Sequence, residues 1–174
     1  MPVRIVDGDL VGDEQGVIAN PYPPGLCERA AACLSGYVLE AGLGLGQNRA
    51  ALLGASHLAG VETVEADPEV VAAYGDYDAS HPIVATSVQD RVAEAVAAGT
   101  TPWTSVLLDV GTSDLYDDTV FLSNLRRLYP EYGSRVVVIS ERSDIRLPGF
   151  HLGLTERHEN LNLYLFDSEN KEPV

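Results

Sequence analysis

Residues 37–46 combine an apolar run, an acidic residue and three alternating glycines, in the sequence Y-V-L-E-A-G-L-G-L-G. The apolar run has the length of a buried strand, and residues 47–54 resemble a helix. Glycines at 42, 44 and 46 let the backbone take positive φ and pass close to a ligand, because they carry no Cβ. A helix after such a turn aims its free amides at that ligand. The segment therefore predicts a site for a nucleotide-sized ligand, and the alternative is a structural turn at which nothing binds.

A second predicted strand, residues 61–67, ends in carboxylates and has the sequence V-E-T-V-E-A-D. Glu65 follows the glycine turn by about 20 residues, the spacing expected of an acid that binds ribose hydroxyls. Asp67 is predicted to cap the next helix, because Pro68 suits a first helical position and Glu69 favours the helix dipole. The two strands together indicate a nucleoside-binding edge.

The glycine pattern is G-x-G-x-G with an acid two residues before it, and residues 36–140 resemble the class I S-adenosylmethionine-dependent methyltransferases. The first motif of that family is an apolar strand, an acidic residue and G-x-G-x-G, and its second is an acid that closes the next strand. The resemblance implies S-adenosylmethionine as the cofactor. It also implies cofactor contacts from the residues that match the two motifs, which are Glu40, Gly42, Gly44, Gly46, Glu65 and Ala66.

Residues 82–90, P-I-V-A-T-S-V-Q-D, are predicted to form a strand that runs into a turn and a helix. The methyltransferase family places its adenine contacts at such a turn. The resemblance therefore implies that Ser87, Val88 and Gln89 contact the adenine.

The predicted acceptor side begins with a buried strand at residues 103–111, W-T-S-V-L-L-D-V-G. Asp109 arrives at its carboxyl end, where open α/β sheets bind ligands. The run L-L-D-V-G-T-S-D is similar to the active-site turn of polyamine synthases and guanidinoacetate methyltransferases, which hold an aspartate against a cationic nitrogen. The resemblance implies that Asp109 is catalytic and binds the acceptor, and the alternative is a carboxylate that caps the next loop. Asp114 either contacts substrate or caps a helix that begins near residue 116, and the sequence favours the cap.

The N-terminal segment predicts a β-hairpin around a D-G-D turn, followed by a turn rich in proline that contains Tyr22. The same two enzyme groups carry an N-terminal extension and an aromatic-proline turn before the first strand of the sheet. Tyr22 is accordingly either a lid over the acceptor or a core aromatic. Those enzymes usually have an acid in this turn, whereas residues 19–22 are A-N-P-Y, so the acceptor stays open.

The predicted fold class is α/β, a Rossmann-like methyltransferase fold. Its sheet is mostly parallel, with an antiparallel C-terminal hairpin and a short N-terminal β-hairpin extension. The length of 174 residues and the hydrophobic content of 45% suit a single domain over residues 1–174. Within it, residues 1–25 are the hairpin or lid, 36–140 the cofactor-binding core and 141–174 the C-terminal strands. Residues 119–129 predict a helix with Val120, Phe121, Leu125 and Leu128 on its apolar face and Pro130 as its stop. Residues 141–148 predict only a short link, where methyltransferases usually have a full helix.

The formal net charge of -15 argues against nucleic acid and against anionic membranes as partners. It favours a cationic small molecule, because an acidic cleft raises the local concentration of cations. The alternatives are that the charge only maintains solubility or reflects a salt-rich source. Neither a signal peptide nor a membrane span is recognisable, so the sequence predicts a soluble, cytoplasmic protein. The exposed edges of a small sheet favour a homodimer.

Cys27 and Cys33 lie six residues apart in one predicted helix, on different faces, so we expect unpaired core residues. The four histidines lack the spacing of metal ligands, and no metal is predicted. The sequence thus predicts methyl transfer to a small-molecule acceptor, most simply an amine or guanidine nitrogen. The alternatives are an aminopropyltransferase of the spermidine synthase kind and a non-catalytic binding or partner protein.

Overall fold

A seven-stranded main sheet forms the centre of the fold. The computed structural model describes residues 3–13, 16–74, 79–111, 113–129 and 134–168. Its strands have the spatial order β6-β5-β4-β7-β8-β10-β9. The five strands from β6 to β8 are parallel, and β10 is antiparallel to both of its neighbours. The predicted mostly parallel sheet with an antiparallel C-terminal hairpin is therefore confirmed. The strands are β4 (Gly36–Ala41), β5 (Leu58–Glu65), β6 (Ile83–Ala85), β7 (Ser105–Leu108), β8 (Arg135–Ser140), β9 (Phe150–His158) and β10 (Leu161–Ser168).

Helices cover both faces of this sheet. Period-2 alternation along the strands gives each face its own apolar row, so that Val38 and Leu107 face one side while Leu39 and Val106 face the other. Helices α1 and α2 pack on the first row, and α4 and α5 pack on the second. The helices are α1 (Leu26–Ala32), α2 (Gln47–Gly54), α3 (Pro68–Tyr74), α4 (Val88–Ala98) and α5 (Thr119–Leu128), with a 3-10 helix at Ser113–Asp117.

The face under α1 and α2 changes from apolar to polar at the carboxyl ends of three neighbouring strands. Because every second side chain points to the same face, Glu40 follows Val38 there, and Asp109 follows Leu107. On β5, Thr63 pairs in register with Glu40 and precedes Glu65 by two residues. The fold therefore brings the carboxylates of Glu40, Glu65 and Asp109 to one edge of one face.

A smaller antiparallel sheet, the N-terminal sheet, consists of β1 (Arg4–Val6), β2 (Asp9–Gly12) and β3 (Gly16–Ala19). Asp7 and Gly8 join β1 to β2 with φ values of 52° and 94°, as a two-residue hairpin turn requires. The predicted hairpin is confirmed, and a third strand extends it. The inner side of the N-terminal sheet joins an apolar cluster made of Val3, Leu10, Ile18, Ala19, Leu43, Leu45, Val70, Val71, Tyr74 and Ile83. The N-terminal sheet therefore lies over the glycine turn.

The link between β8 and β9 contains no helix at residues 141–149, all of which the structure describes. Ile145 and Leu147 of this link are buried against the core on the α4 and α5 side. The predicted short link is confirmed, and its two apolar side chains take the place of a helix on that face.

The predicted helix over residues 119–129 is confirmed as α5, whereas the favoured role of Asp114 as a helix cap and the place of Val120 on the apolar face are wrong. Asp114 lies inside the 3-10 helix, while α5 begins at Thr119 and is capped by Asp118, whose Oδ1 accepts hydrogen bonds of 3.0 Å from the amides of Val120 and Phe121. A Ser-Asp-rich run offers several acids that can cap, and the sequence alone does not choose between them. Val120 is 69% exposed and does not belong to the apolar face. The predicted stop at residue 130 lies outside the described residues.

Cys27 and Cys33 are both buried and free, as predicted. Among the described residues, none of the helices has the length and apolar character needed to cross a membrane.

Candidate functional site

The glycine turn at residues 42–46 joins β4 to α2. Gly42, Gly44 and Gly46 all have positive φ, at 93°, 49° and 76°, as predicted. A Cβ on Gly42 would overlap the carbonyl oxygen of Asp109, so this glycine is required by the neighbouring strand. A Cβ on Gly44 would lie 3.3 Å from that of Ala19, and one on Gly46 would overlap the ring of Tyr74. The turn is thus covered by β3 and by the end of α3.

Glu65 ties the glycine turn to the loop after β5. Its Oε2 accepts a hydrogen bond of 3.0 Å from the Leu43 amide, and its Oε1 accepts one of 2.9 Å from the Asp67 amide. An ionised carboxylate offers about four lone-pair sites, so both oxygens keep capacity for a further donor. Ala66, the residue between Glu65 and Asp67, is exposed. Asp67 accepts a hydrogen bond of 2.9 Å from the Glu69 amide at the start of α3, which confirms its predicted role as a cap.

The turn predicted to contact adenine lies at the start of α4. Ser87 is the N-cap of this helix, and its Oγ accepts a hydrogen bond of 3.1 Å from the Asp90 amide. Val88 is buried in the core, whereas Gln89 is half-buried. The Ser87 hydroxyl and the Val88 side chain therefore have structural partners, and the turn offers a ligand chiefly its main chain and Gln89.

Asp109 lies at the carboxyl end of β7 and is held by neutral donors. Its Oδ2 accepts hydrogen bonds from the hydroxyl of Tyr22 and, at 2.6 Å, from Nδ2 of Asn48. Burial raises the pKa of Asp109 to about 6, against the opposing effect of these two hydrogen bonds. Burial and the charge of Asp109 also raise the pKa of Tyr22 far above its usual range. Among the described residues, no Lys, Arg or His forms an ion pair with Asp109.

Glu40 is fully buried beneath the glycine turn and heads a hydrogen-bonded chain. Its Oε2 accepts a hydrogen bond of 2.5 Å from Thr63, whose hydroxyl accepts one of 2.7 Å from Arg49. Arg49 also donates to the carbonyl of His81 at 2.5 Å. Burial raises the pKa of Glu40 to about 8, with Thr63 and Arg49 opposing the shift and the charges of Asp109 and Glu65 adding to it. Glu40 is therefore largely protonated at neutral pH.

Within the described part of the chain, three buried polar atoms around this edge have no hydrogen-bond partner: Oε1 of Glu40, Oδ1 of Asn48 and the hydroxyl of Tyr116. Such atoms cost free energy unless a ligand or water satisfies them. Asp114, the other predicted substrate contact, is exposed on the 3-10 helix.

Sequence reasoning missed Asn48, Arg49, Thr63 and Tyr116. Two patterns could have found part of this set. Thr63 shares the face of Glu65 by strand alternation, and Arg49 precedes the buried Leu52 by three residues, which puts it on the inner side of α2. Asn48 and Tyr116 offer no comparable pattern.

A cavity of about 510 Å³ opens beside Tyr22, the residue whose hydroxyl donates to Asp109. The amide of Tyr22 donates a hydrogen bond of 2.9 Å to Oε1 of Gln47, which also lines this cavity. The lining residues come from the Tyr22 turn, α1 and α2 and are Tyr22, Pro23, Pro24, Gly25, Cys27, Glu28, Gln47, Ala50, Ala51 and Gly54. A second cavity, of about 560 Å³, lies between residues 143–155 and β10. Neither cavity is lined by the glycines of the turn or by Glu65.

Comparison with known proteins gave no matching family model and no matching curated protein. Solved structures do resemble the chain. Human methyltransferase-like protein 13 in complex with S-adenosylhomocysteine has a TM-score of 0.63 at 16% identity, covering 84% of this chain and 81% of that one. A Burkholderia thailandensis 1,6-didemethyltoxoflavin-N1-methyltransferase has a TM-score of 0.58 at 19% identity, covering 84% and 80%. The proposed methyltransferase yhhF of Escherichia coli has a TM-score of 0.59 at 16% identity, covering 82% and 80%. This chain has the Rossmann-like methyltransferase fold.

Within this methyltransferase fold, the strand ends that carry Glu40, Glu65 and Asp109 are neighbours. In the part of the chain that the structure describes, no group of three or more His, Cys, Asp or Glu side chains is arranged to hold a metal ion. The finer resemblance to guanidinoacetate methyltransferases and polyamine synthases stays a prediction.

Proposed function

We propose that this chain is an S-adenosylmethionine-dependent methyltransferase that acts on an amine or guanidine nitrogen of a small molecule. The observation that carries the proposal is the row of groups at one sheet edge, where the positive-φ glycine turn, Glu65 and Asp109 follow three adjacent strands. The human and Burkholderia proteins of the same fold are both described with S-adenosylhomocysteine bound, which supports this cofactor here.

The residues at this edge fit such a cofactor in their chemistry. Glu65 keeps acceptor capacity for ribose hydroxyls, and Oε1 of Glu40 is a buried polar atom that has no hydrogen-bond partner among the described residues. The main chain of residues 42–46 would lie along the methionine part, and Gln89 with the adjoining main chain would meet the adenine. When bound, the cofactor supplies a methyl group already activated by its sulfonium. Ala19 and Tyr74 have to withdraw from the turn before a ligand can lie along it.

Asp109 binds and orients the acceptor in this proposal. An acceptor cation replaces the Tyr22 hydroxyl at the carboxylate, which no cation of the described residues neutralises. The cation first loses a proton to this carboxylate or to water, which frees the lone pair of the nitrogen, and Asp109 would then orient the neutral nitrogen toward the methyl carbon through a remaining N–H group. The nitrogen–carbon bond forms as the carbon–sulfur bond breaks. The acidity of the whole chain favours a cationic acceptor at this place.

A second candidate function is a non-catalytic binding protein that retains the sheet. One observation favours it: Leu45, Ile18, Ala19 and Tyr74 form apolar packing over the glycine turn. In a protein that never binds a nucleoside, this packing would be permanent.

Calorimetry with S-adenosylmethionine, S-adenosylhomocysteine and decarboxylated S-adenosylmethionine separates these functions. We expect the first two to bind, and Glu65→Gln to weaken both by about tenfold or more because an amide cannot accept from ribose at both positions. Glu94→Gln is the matched control, since it removes the same charge from an exposed site on α4. Failure of all three to bind supports the non-catalytic protein, and preference for the decarboxylated form indicates aminopropyl transfer.

Asp109→Asn tests the acceptor side in the same protein. We expect it to leave the affinity for S-adenosylhomocysteine nearly unchanged and to abolish methyl transfer to amines in an assay of labelled methyl incorporation. Full turnover in this variant would contradict the proposed role of Asp109.

A further inference from the structure

We propose that Asn48 selects the acceptor, because its side-chain oxygen and Asp109 together bind a nitrogen that carries two N–H groups. The inference rests on the proposed function and names the acceptor as a primary amine or a guanidinium group. The same recognition favours a single methyl transfer, because a nitrogen that has received one methyl group has one N–H group fewer to donate to Asn48 and Asp109.

The orientation of Asn48 follows from its bond to Asp109. Its Nδ2 donates to Oδ2 of Asp109 at 2.6 Å, and the reversed amide would set two oxygens against each other. Oδ1 is therefore the free end of the amide. It is buried and has no hydrogen-bond partner among the residues that the structure describes, and Asn48 as a whole is only 3% exposed.

An unsatisfied buried carbonyl oxygen costs about 1–3 kcal/mol, so this position calls for a donor. Arg49 does not supply it, because its guanidinium is directed at the hydroxyl of Thr63 and the carbonyl of His81. Tyr22 donates to Asp109 instead. None of the described residues donates to Oδ1, and in our proposal the acceptor supplies this donor.

The hydroxyl of Tyr116, on the 3-10 helix, is a second buried polar group that is influenced by Asp109. It has no hydrogen-bond partner among the described residues, and burial together with the charge of Asp109 raises its pKa above the usual range. Two unpartnered polar groups on separate elements, α2 and the 3-10 helix, thus lie near one carboxylate.

The chemistry of a primary amine fits this arrangement. In its neutral form, two N–H groups donate to Asp109 and to Oδ1 of Asn48, while the lone pair stays free to attack the methyl carbon. An oxygen or carbon nucleophile leaves at least one of the two acceptors unsatisfied. The cavity of about 510 Å³ beside Tyr22 offers room for a small amine to enter.

The test compares propylamine with N,N-dimethylpropylamine on the full chain, with and without saturating S-adenosylhomocysteine. Dissociation constants come from the shifts of the amides of residues 43–48 in nitrogen–proton correlation spectra. We expect the protein to bind propylamine at least tenfold more tightly than its dimethyl analogue. Asn48→Leu should reduce this ratio to less than threefold. Asn48→Ala, which also removes the carbonyl group, serves if the leucine variant does not fold.

Asn162→Leu is the matched control, because Asn162 is another buried amide, which lies on β10 and donates to main-chain carbonyls of residues 140–142. It should keep the full ratio even if it lowers stability. Equal affinity for the two amines, or an unchanged ratio in Asn48→Leu, overturns the inference while leaving the cofactor proposal intact. A preserved ratio in a protein that fails to bind S-adenosylhomocysteine overturns the proposed function and leaves the amine site.

Discussion

At the residue scale, Glu40 is the most consequential side chain, because it is a carboxyl group with no exposed surface. The one hydrogen bond that it makes to the described residues comes from Thr63, and Arg49 donates to the same hydroxyl without contacting the carboxyl group directly. The loss of solvation on burial outweighs the opposing effects of Thr63 and Arg49, so the pKa of Glu40 is raised to about 8 in the folded chain. An unfolded glutamate has a pKa of about 4.3. The folded state therefore binds a proton that the unfolded state has lost between these two values.

This difference predicts a stability that increases as pH falls from about 8 toward 5. The contribution of one such group reaches about 1.4 kcal/mol per pH unit. Glu40→Gln keeps the hydrogen bond from Thr63 but cannot ionise. We expect its advantage in free energy of unfolding over the natural chain to grow from pH 5 to pH 8 and to level off above pH 8. Urea denaturation across this range measures it.

The whole acidic chain also gains stability when its carboxylates are protonated, so the difference between the two proteins is the decisive quantity. Glu94→Gln provides the control, because it removes an exposed carboxylate and should show no such growth. A constant difference between Glu40→Gln and the natural chain would contradict a raised pKa at Glu40.

The same residues show how far the sequence predicts the site. Glu40, Glu65 and Asp109 were found from motifs at strand ends, and such positions depend only on the period of a strand. Asn48, Arg49 and Thr63 were missed because their roles depend on side chains 14 to 61 positions away. Long-range polar pairing leaves no local pattern. Ser87 is a different case, because its side chain caps α4 through a hydrogen bond to a residue three positions away, whereas the resemblance implied a contact with adenine.

At the scale of elements, the N-terminal sheet decides access to the glycine turn. Its predicted hairpin followed from the turn residues Asp7 and Gly8, whereas its packing over Gly44 depends on apolar contacts with α3 and β6 that the sequence does not reveal. The residues of β1 are all exposed. A small sheet held mainly by one apolar side is a suitable cover to open and close.

Weakening this cover should therefore favour the ligand. Leu10 is buried in the apolar cluster over the turn, and Leu10→Ala removes about 2 kcal/mol or more of packing. We expect faster hydrogen exchange in β1 to β3 and a higher affinity for S-adenosylhomocysteine, because less free energy is needed to move the sheet aside. Calorimetry on Leu10→Ala and on the natural chain measures this.

Val11→Ala is the control, because Val11 is the next residue of the same strand and is only half-buried. It should leave the affinity nearly unchanged. A lower affinity in Leu10→Ala would mean that the N-terminal sheet forms part of the binding site instead of covering it.

At the scale of the whole molecule, the mostly parallel character of the main sheet follows from the alternation of strands and helices, and its antiparallel end follows from two strands in succession near the C-terminus. The missing helix between β8 and β9 was also predictable, because residues 141–148 are too polar and too short for one. The acidity is a property of the entire chain and does not bear on its fold. Its physical consequence is mutual repulsion among carboxylates, which opposes folding.

Screening this repulsion should stabilise the protein. Raising KCl from 0.1 M to 1 M shortens the Debye length from about 10 Å to about 3 Å, so we expect the melting temperature to rise by several degrees. Sucrose at matched osmolality separates screening from solute exclusion, because it carries no charge. The same salt should weaken the binding of propylamine, since its attraction to Asp109 and to the surrounding acidic surface is screened. A melting temperature that stays constant or falls with KCl would mean that local ion pairs, such as that of Arg29 with Glu156 at 2.7 Å, already balance the excess charge.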